Sequence, residues 1–128
     1  MKECPFCSLQ HDPAIIARQG TAMAVYDKYP VNKGHVLIIP LRHCLSYFDL
    51  TDSEQSDCWT LLSQMNQHIE KLHSPDGFNV GINVGEEAGQ TIPHVHLHLI
   101  PRYKGDVKDP EGGVRGVIPG KRKYRGSE

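Results

Sequence analysis

Long apolar runs are missing from this chain, and so is any excess of charge. No stretch approaches the roughly 20 consecutive apolar residues that a membrane helix needs, so no transmembrane segment is expected. The opening Met1-Lys2-Glu3-Cys4-Pro5 lacks the apolar core of a secretory signal. Acidic and basic residues nearly cancel, 15 against 14, and leave a formal net charge of −1. That balance calls for neither nucleic acid nor a membrane surface as partner. No internal repeat is visible. Cysteine occurs four times, and these thiols are expected to stay reduced in a cytoplasmic protein. What remains is a chain of 128 residues, 38% apolar, which suits one globular domain able to bury a core without staples.

Periodicity predicts the elements. Ile15 to Arg18 and Ala22 to Tyr26, separated by a turn at Gly20, read as a β-hairpin. His35 to Pro40 reads as a third strand, entered through Asn32-Lys33-Gly34. Thr51 and Glu54 stand three apart in a capping-box pattern. A helix should follow to about His73, with Trp59, Leu62, Met65, Ile69 and Leu72 at helical spacing. Ser74-Pro75-Asp76-Gly77 stops it. Phe78 to Val84 and Pro93 to Pro101 read as the fourth and fifth strands. The expected class is α+β, about five antiparallel strands carrying one long helix.

Against this background the segment His94-Val95-His96-Leu97-His98-Leu99-Ile100 stands out. Three histidines alternate with apolar residues. Successive side chains of a strand point to opposite faces. A strand here therefore turns Val95, Leu97 and Leu99 into a core and presents His94, His96 and His98 on the other face. Histidine changes protonation near neutral pH, so the row suggests acid–base chemistry, nucleophilic catalysis or metal binding. Strand residues two apart are separated by roughly 6.6 Å and residues four apart by roughly 13 Å. Zinc–nitrogen bonds are about 2 Å long. On a straight strand His94 and His98 cannot share a metal, whereas His96 can pair with either neighbour, as in His-x-His zinc sites.

The pattern His-φ-His-φ-His-φ-φ, with φ apolar, resembles the motif of the histidine triad family. Gly85-Glu86-Glu87-Ala88-Gly89-Gln90-Thr91 is similar to the loop that precedes that motif, and Val31-Asn32-Lys33-Gly34-His35-Val36-Leu37-Ile38-Ile39-Pro40 to its earlier strand. Cys4-Pro5-Phe6-Cys7 resembles the opening of the family's zinc-containing members. The resemblance spans most of residues 1–103 and leans toward the fragile histidine triad and dinucleotide hydrolase branch. It implies a triad domain over 1–103 and a homodimer in which two sheets join.

The resemblance also implies roles. His96 would be the nucleophile, attacking an α-phosphorus to give a nucleotidyl-histidine that water then hydrolyses. An acceptor, such as a backbone carbonyl, must hold its other ring nitrogen. His98 would contact the phosphate or the bridging oxygen, and Gln90 would assist. The glycines of residues 85–91 permit close backbone approach, and successive amides there can form an anion-binding concavity. Gly89, Gln90 and Thr91 would serve phosphate, Asn83 phosphate or leaving group, and Asp27 the ribose hydroxyls. Phe6, Val25 and Leu37 would line the base pocket. His35 would sit buried as support. Expected substrates are purine nucleotides, either dinucleoside polyphosphates or nucleoside phosphoramidates, with no catalytic cofactor.

Cys4 and Cys7 admit two readings. One is a glutaredoxin-type dithiol, which normally follows a first strand; only Met1 to Glu3 precede it here. The other is half of a structural zinc site, for which the resemblance offers His43 and His94. Two further functions stay open: a zinc hydrolase using His94 and His96, and a nucleotide-binding regulatory module. The Gly/Pro-rich tail, residues 104–128, carries the basic cluster Lys121, Arg122, Lys123 and Arg125. It reads either as a solvated tail or as a segment that orders over a polyphosphate site.

Overall fold

The computed structural model describes residues 4–124. Strands β1 (Ile15–Gln19), β2 (Ala22–Tyr26), β3 (Val36–Pro40), β4 (Gly77–Ile82) and β5 (Leu97–Arg102) form one antiparallel sheet in the order β1-β2-β3-β5-β4. Helix α1 (Asp52–His73) connects β3 to β4 and packs on one face. The α+β expectation holds, with element ends shifted by a few residues.

Strand alternation divides the core. Ala22, Ala24, Val36, Ile38, Leu97 and Leu99 point toward the helix, while Met23, Val25, Leu37 and Ile39 point to the other face. Both faces are covered at β2 and β3, which explains their unbroken apolar sequence. The buried stripe of α1 is Cys58, Leu61, Leu62, Met65 and Ile69. Trp59 and Leu72, expected on that stripe, are 40% and 56% exposed. The Trp59 indole instead donates to the Tyr47 hydroxyl at 2.9 Å.

The fifth strand is shorter than its sequence pattern. The N–H of His94 bonds to Ile92 O at 2.8 Å, and that of Val95 bonds to Cys44 O at 2.8 Å. These bonds take residues 94–95 out of the ladder, so pairing begins at Leu97. His94 and His96 therefore precede the strand, and both are buried instead of lying on an open face. The apolar alternation persists through the irregular part, with Val95, Leu97 and Leu99 all in the core.

Local devices fix the connections. Gly34 adopts φ +91°, and a Cβ there would lie 2.9 Å from the His73 ring, so only glycine permits this close approach. Helix α1 opens with a full capping box. Thr51 Oγ1 accepts from the Glu54 N–H at 3.1 Å, and Glu54 Oε1 accepts from the Thr51 N–H at 2.8 Å. Arg42 then donates from Nε and Nη2 to the Glu54 carboxylate, both at 2.9 Å. These bonds hold the Glu54 carboxyl down to about 2.

The tail is built from two 3-10 turns, Gly113–Val117 and Pro119–Lys121. Arg122 and Lys123 both pair with Asp109, so those charges are engaged within the tail. Arg125 lies outside the described residues.

Thr51→Ala removes one arm of the capping box. It should destabilise the fold by about 1 kcal/mol. In urea the midpoint should fall without a change in slope, and an unchanged midpoint would assign helix entry to packing alone.

Candidate active site

The three triad histidines take three different environments. His94 is fully buried, and its Nε2 donates to Pro40 O at 2.8 Å. That bond leaves the lone pair on Nδ1, which lies 3.3 Å from Cys4 Sγ and 3.6 Å from Cys7 Sγ. His43 Nδ1 lies 3.4 Å from Cys7 Sγ. Ligands on a tetrahedral zinc, with bonds of about 2.3 Å to sulfur and about 2.0 Å to nitrogen, stand about 3.6 Å apart. The four atoms of Cys4, Cys7, His43 and His94 fit a metal of that kind in spacing and in chemistry.

His96 turns the other way. Its Nδ1 lies 2.9 Å from the carbonyl oxygen of His94. A carbonyl only accepts, so Nδ1 carries the proton and Nε2 keeps its lone pair. Phe6, between the two cysteines in sequence, sets its ring edge-on to His96 with centroids 5.1 Å apart. The N-terminal segment that brings the thiols to His94 thus also walls the His96 ring.

His98 belongs to a third set. The backbone N–H of Val31 donates to His35 Nδ1 at 3.0 Å. His35 Nε2 must then carry the proton, and it faces His98 Nδ1 at 3.0 Å and Asp27 Oδ2 at 3.5 Å. Neutral His98 is left with its proton on Nε2. Burial pushes the His98 imidazole down to about 4, and the neighbouring His96 and His35 rings add to the effect. Burial also lowers His35, opposed by the Asp27 carboxylate. Asp27, His35 and His98 are close enough to hold a metal, but the two imidazoles already bond each other. His96 belongs to neither of these groups among the described residues, and both ring nitrogens of His94 turn elsewhere, one to Pro40 O and the other to the two thiols.

His96 and His98 open on a cavity of about 620 Å³ on the sheet face opposite α1. Phe6, Val25 and Leu37 contribute to its apolar wall, and Asp27, Asn83, Gly89, Thr91, His96 and His98 also line it. Lys28, Tyr29 and Ile92 also line it and were not anticipated. Lys28 and Tyr29 directly follow Asp27, and that adjacency was the available signal. Asp27 doubles as a turn residue, its Oδ1 accepting from the Tyr29 N–H at 2.8 Å.

Gln90 is the departure from expectation. Its Nε2 donates to Leu45 O at 2.8 Å and Ile92 O at 3.2 Å, and its Oε1 accepts from the Gly85 N–H at 2.9 Å. The side chain closes the loop instead of offering donors to phosphate. The N–H groups of Ala88, Gly89 and Gln90 likewise bond to acceptors inside the loop, so the expected concavity of free amides does not form from them. Gly89 is needed for the backbone, in a conformation that other residues rarely adopt. It has φ +91°, and a Cβ there would sit 3.8 Å from Asn83 Nδ2.

Comparison with known proteins agrees with this geometry. A profile of the HIT domain matches residues 8–105. The chain is 35% identical over 138 aligned positions to a bis(5'-nucleosyl)-tetraphosphatase [asymmetrical] of Schizosaccharomyces pombe, covering 99% of this chain and 76% of that protein. It is 37% identical to an AP-4-A phosphorylase of Mycobacterium tuberculosis, covering 73% of this chain but only 48% of that protein. A zinc-bound histidine triad family protein from Mycobacterium smegmatis superposes with a TM-score of 0.73 at 31% identity, covering 84% of each chain.

The site makes stability depend on pH. Below the ordinary histidine value of 6.5 the unfolded chain takes up protons that folded His35 and His98 resist. The unfolded state then binds more protons, so stability falls as pH drops from about 6.5 toward 4. Tm should be several degrees lower at pH 5 than at pH 7.5, and the loss should shrink in His98→Asn. Equal loss in both proteins would place the proton uptake elsewhere.

Proposed function

We propose, for a chain that belongs to the HIT family, that it is a nucleotide hydrolase acting at the α-phosphorus of dinucleoside polyphosphates through a nucleotidyl-His96 intermediate. One observation carries this reading. The His94 carbonyl holds the proton of His96 on Nδ1, which leaves Nε2 as a nucleophile beside a nucleotide-sized cavity.

In the first step Nε2 attacks phosphorus in line. The P–N bond forms as the bond to the leaving phosphate oxygen breaks, and that oxygen departs as part of an anionic polyphosphate. His98 donates a hydrogen bond from Nε2–H to the departing oxygen. In the second step water attacks phosphorus, the P–N bond breaks, the lone pair returns to Nε2, and the water proton passes to solvent. Covalent catalysis here divides one difficult displacement into two. Phe6, Val25 and Leu37 hold the base, Asp27 the ribose hydroxyls, and Asn83, Gly89 and Thr91 the phosphates. Gln90 contributes by fixing the loop. A His98 that resists protonation suits leaving groups that depart as anions, and this favours polyphosphates over phosphoramidates, whose leaving nitrogen needs a proton.

The likeness to a protein named AP-4-A phosphorylase supports a second reading, with inorganic phosphate as the acceptor in the second step. The products separate the two: a nucleoside monophosphate from water, a nucleoside diphosphate from phosphate.

Cys4, Cys7, His43 and His94 would hold a structural zinc. Four protein ligands leave no open coordination position, so the metal supplies folding energy and no chemistry to the reaction. It would pin Phe6 against the His96 ring. A cytoplasmic setting suits thiols that must stay reduced to bind metal. Among the described residues no helix is long and apolar enough to cross a membrane. Strand β4 is a sheet edge, and a homodimer that extends the sheet across β4 would cover its free backbone groups.

His96→Asn should lower turnover of diadenosine tetraphosphate by orders of magnitude while AMP affinity changes little, since the cavity walls remain. Rapid quench of the wild type should trap nucleotide on the peptide carrying His96. Full kcat in the variant would reject the covalent mechanism. Native mass spectrometry of protein purified without added metal or chelator should find two chains of 14.3 kDa with one zinc each. A metal-free monomer would overturn both assignments.

A further inference from the structure

The same sheet face carries a second cavity, of about 600 Å³. Asp27, Tyr29, Asn83 and His98 line both cavities, so the two chambers meet at the ring assigned to the leaving oxygen. One wall of the second chamber comes from the sheet, at Val80, Ile82 and Ile100. Another comes from the tail, at Val114 and Val117 of the turn Gly113–Val117. The tail holds its own shape with internal bonds, and a Cβ on Gly113 would touch Asn79 Nδ2 of β4 at 3.4 Å. Arg122 Nη1 donates to Asp109 O at 3.2 Å and to Glu111 O at 2.9 Å. Gly112 packs so tightly beneath it that a Cβ would overlap Arg122 O.

The lining decides the occupant. Tyr29, Val31, Val114 and Val117 surround the chamber and are 86%, 65%, 62% and 77% exposed. Four large apolar side chains gathered on one cavity form a surface that wants a cover. Among the described residues neither lysine nor arginine lines the chamber, so they offer a bare phosphate chain no counter-charge there. A flat body with apolar faces and polar edges fits, such as a nucleobase on its ribose, with Tyr29 available for stacking.

We infer that this chamber receives the leaving nucleoside of a dinucleoside substrate, and that Val114 and Val117 make the tail a specificity element acting in cis. The inference rests on the proposed hydrolase reading. In it the scissile α-phosphate sits at His96 and His98, the first nucleoside fills the Phe6 chamber, and the polyphosphate bridges to the second.

The experiment compares kcat/KM for diadenosine tetraphosphate with that for AMP imidazolide, whose small leaving group needs no second chamber. In Val114→Ser/Val117→Ser the ratio of the two should fall about tenfold, the effect of weakening two valine contacts. Both side chains are exposed, so folding is not at stake. Val114→Trp should lower the same ratio by filling the chamber. Wild-type protein that turns over neither substrate would defeat the hydrolase reading itself. Turnover of both with an unchanged ratio in both variants would overturn the chamber assignment alone. An unchanged ratio together with loss of the dimer on sedimentation would assign the valines to a subunit interface and overturn it equally.

Discussion

The hydrogen bond from His96 Nδ1 to the carbonyl of His94 is the contact on which the site depends. It forms only because the chain leaves the strand ladder at residues 94 and 95, where Ile92 O and Cys44 O take the N–H groups. That irregular step frees the His94 carbonyl for the next ring along. It also sends the His94 ring away from the cavity, toward Pro40 O and the two thiols. One residue thus ends the ladder, orients the His96 ring with its backbone and turns its own ring to the two thiols. A regular strand through His94 would have placed three equivalent imidazoles in a row, with no carbonyl to fix the tautomer of the middle one.

Burial does the remaining electrostatic work. His35 and His98 both resist protonation because they are buried in the sheet face, and for His98 the neighbouring His96 and His35 rings add to the effect. Val31 sets the direction of the proton along the pair by donating to His35 Nδ1. The site therefore turns the Nε2 side of His96 and the Nε2–H of His98 toward the cavity.

Two long-range ties complete the groove. The Cys4–Cys7 segment carries Phe6 to the His96 ring from one side. The tail brings Val114 and Val117 to the β4 side. Both segments are short on regular structure and lean on polar anchors: the cysteine–histidine cluster at one end, the Arg122 and Asp109 bonds at the other. The sheet forms the floor of the two cavities, and the segments around Phe6 and Val114 form their outer walls.

Short-range pattern alone was enough for much of this. Alternation at Val95, Leu97 and Leu99 placed a core face and left histidines off it, because side-chain direction in extended chain is a local property. Thr51 and Glu54 announced the helix start for the same reason, since a capping box is closed within four residues. The family motif pointed to His96, Asp27 and the apolar wall, and joined His43 and His94 to the cysteines, which spacing could not do. Tertiary structure decided the rest. Trp59 and Leu72 left the helix stripe, Gln90 turned its amide to Leu45 O and Ile92 O, and Arg122 and Lys123 found Asp109. Each of these outcomes is a choice among competing partners. A donor bonds the acceptor that the fold brings within about 3 Å, and residues 45 and 90 are neighbours only after the sheet has formed.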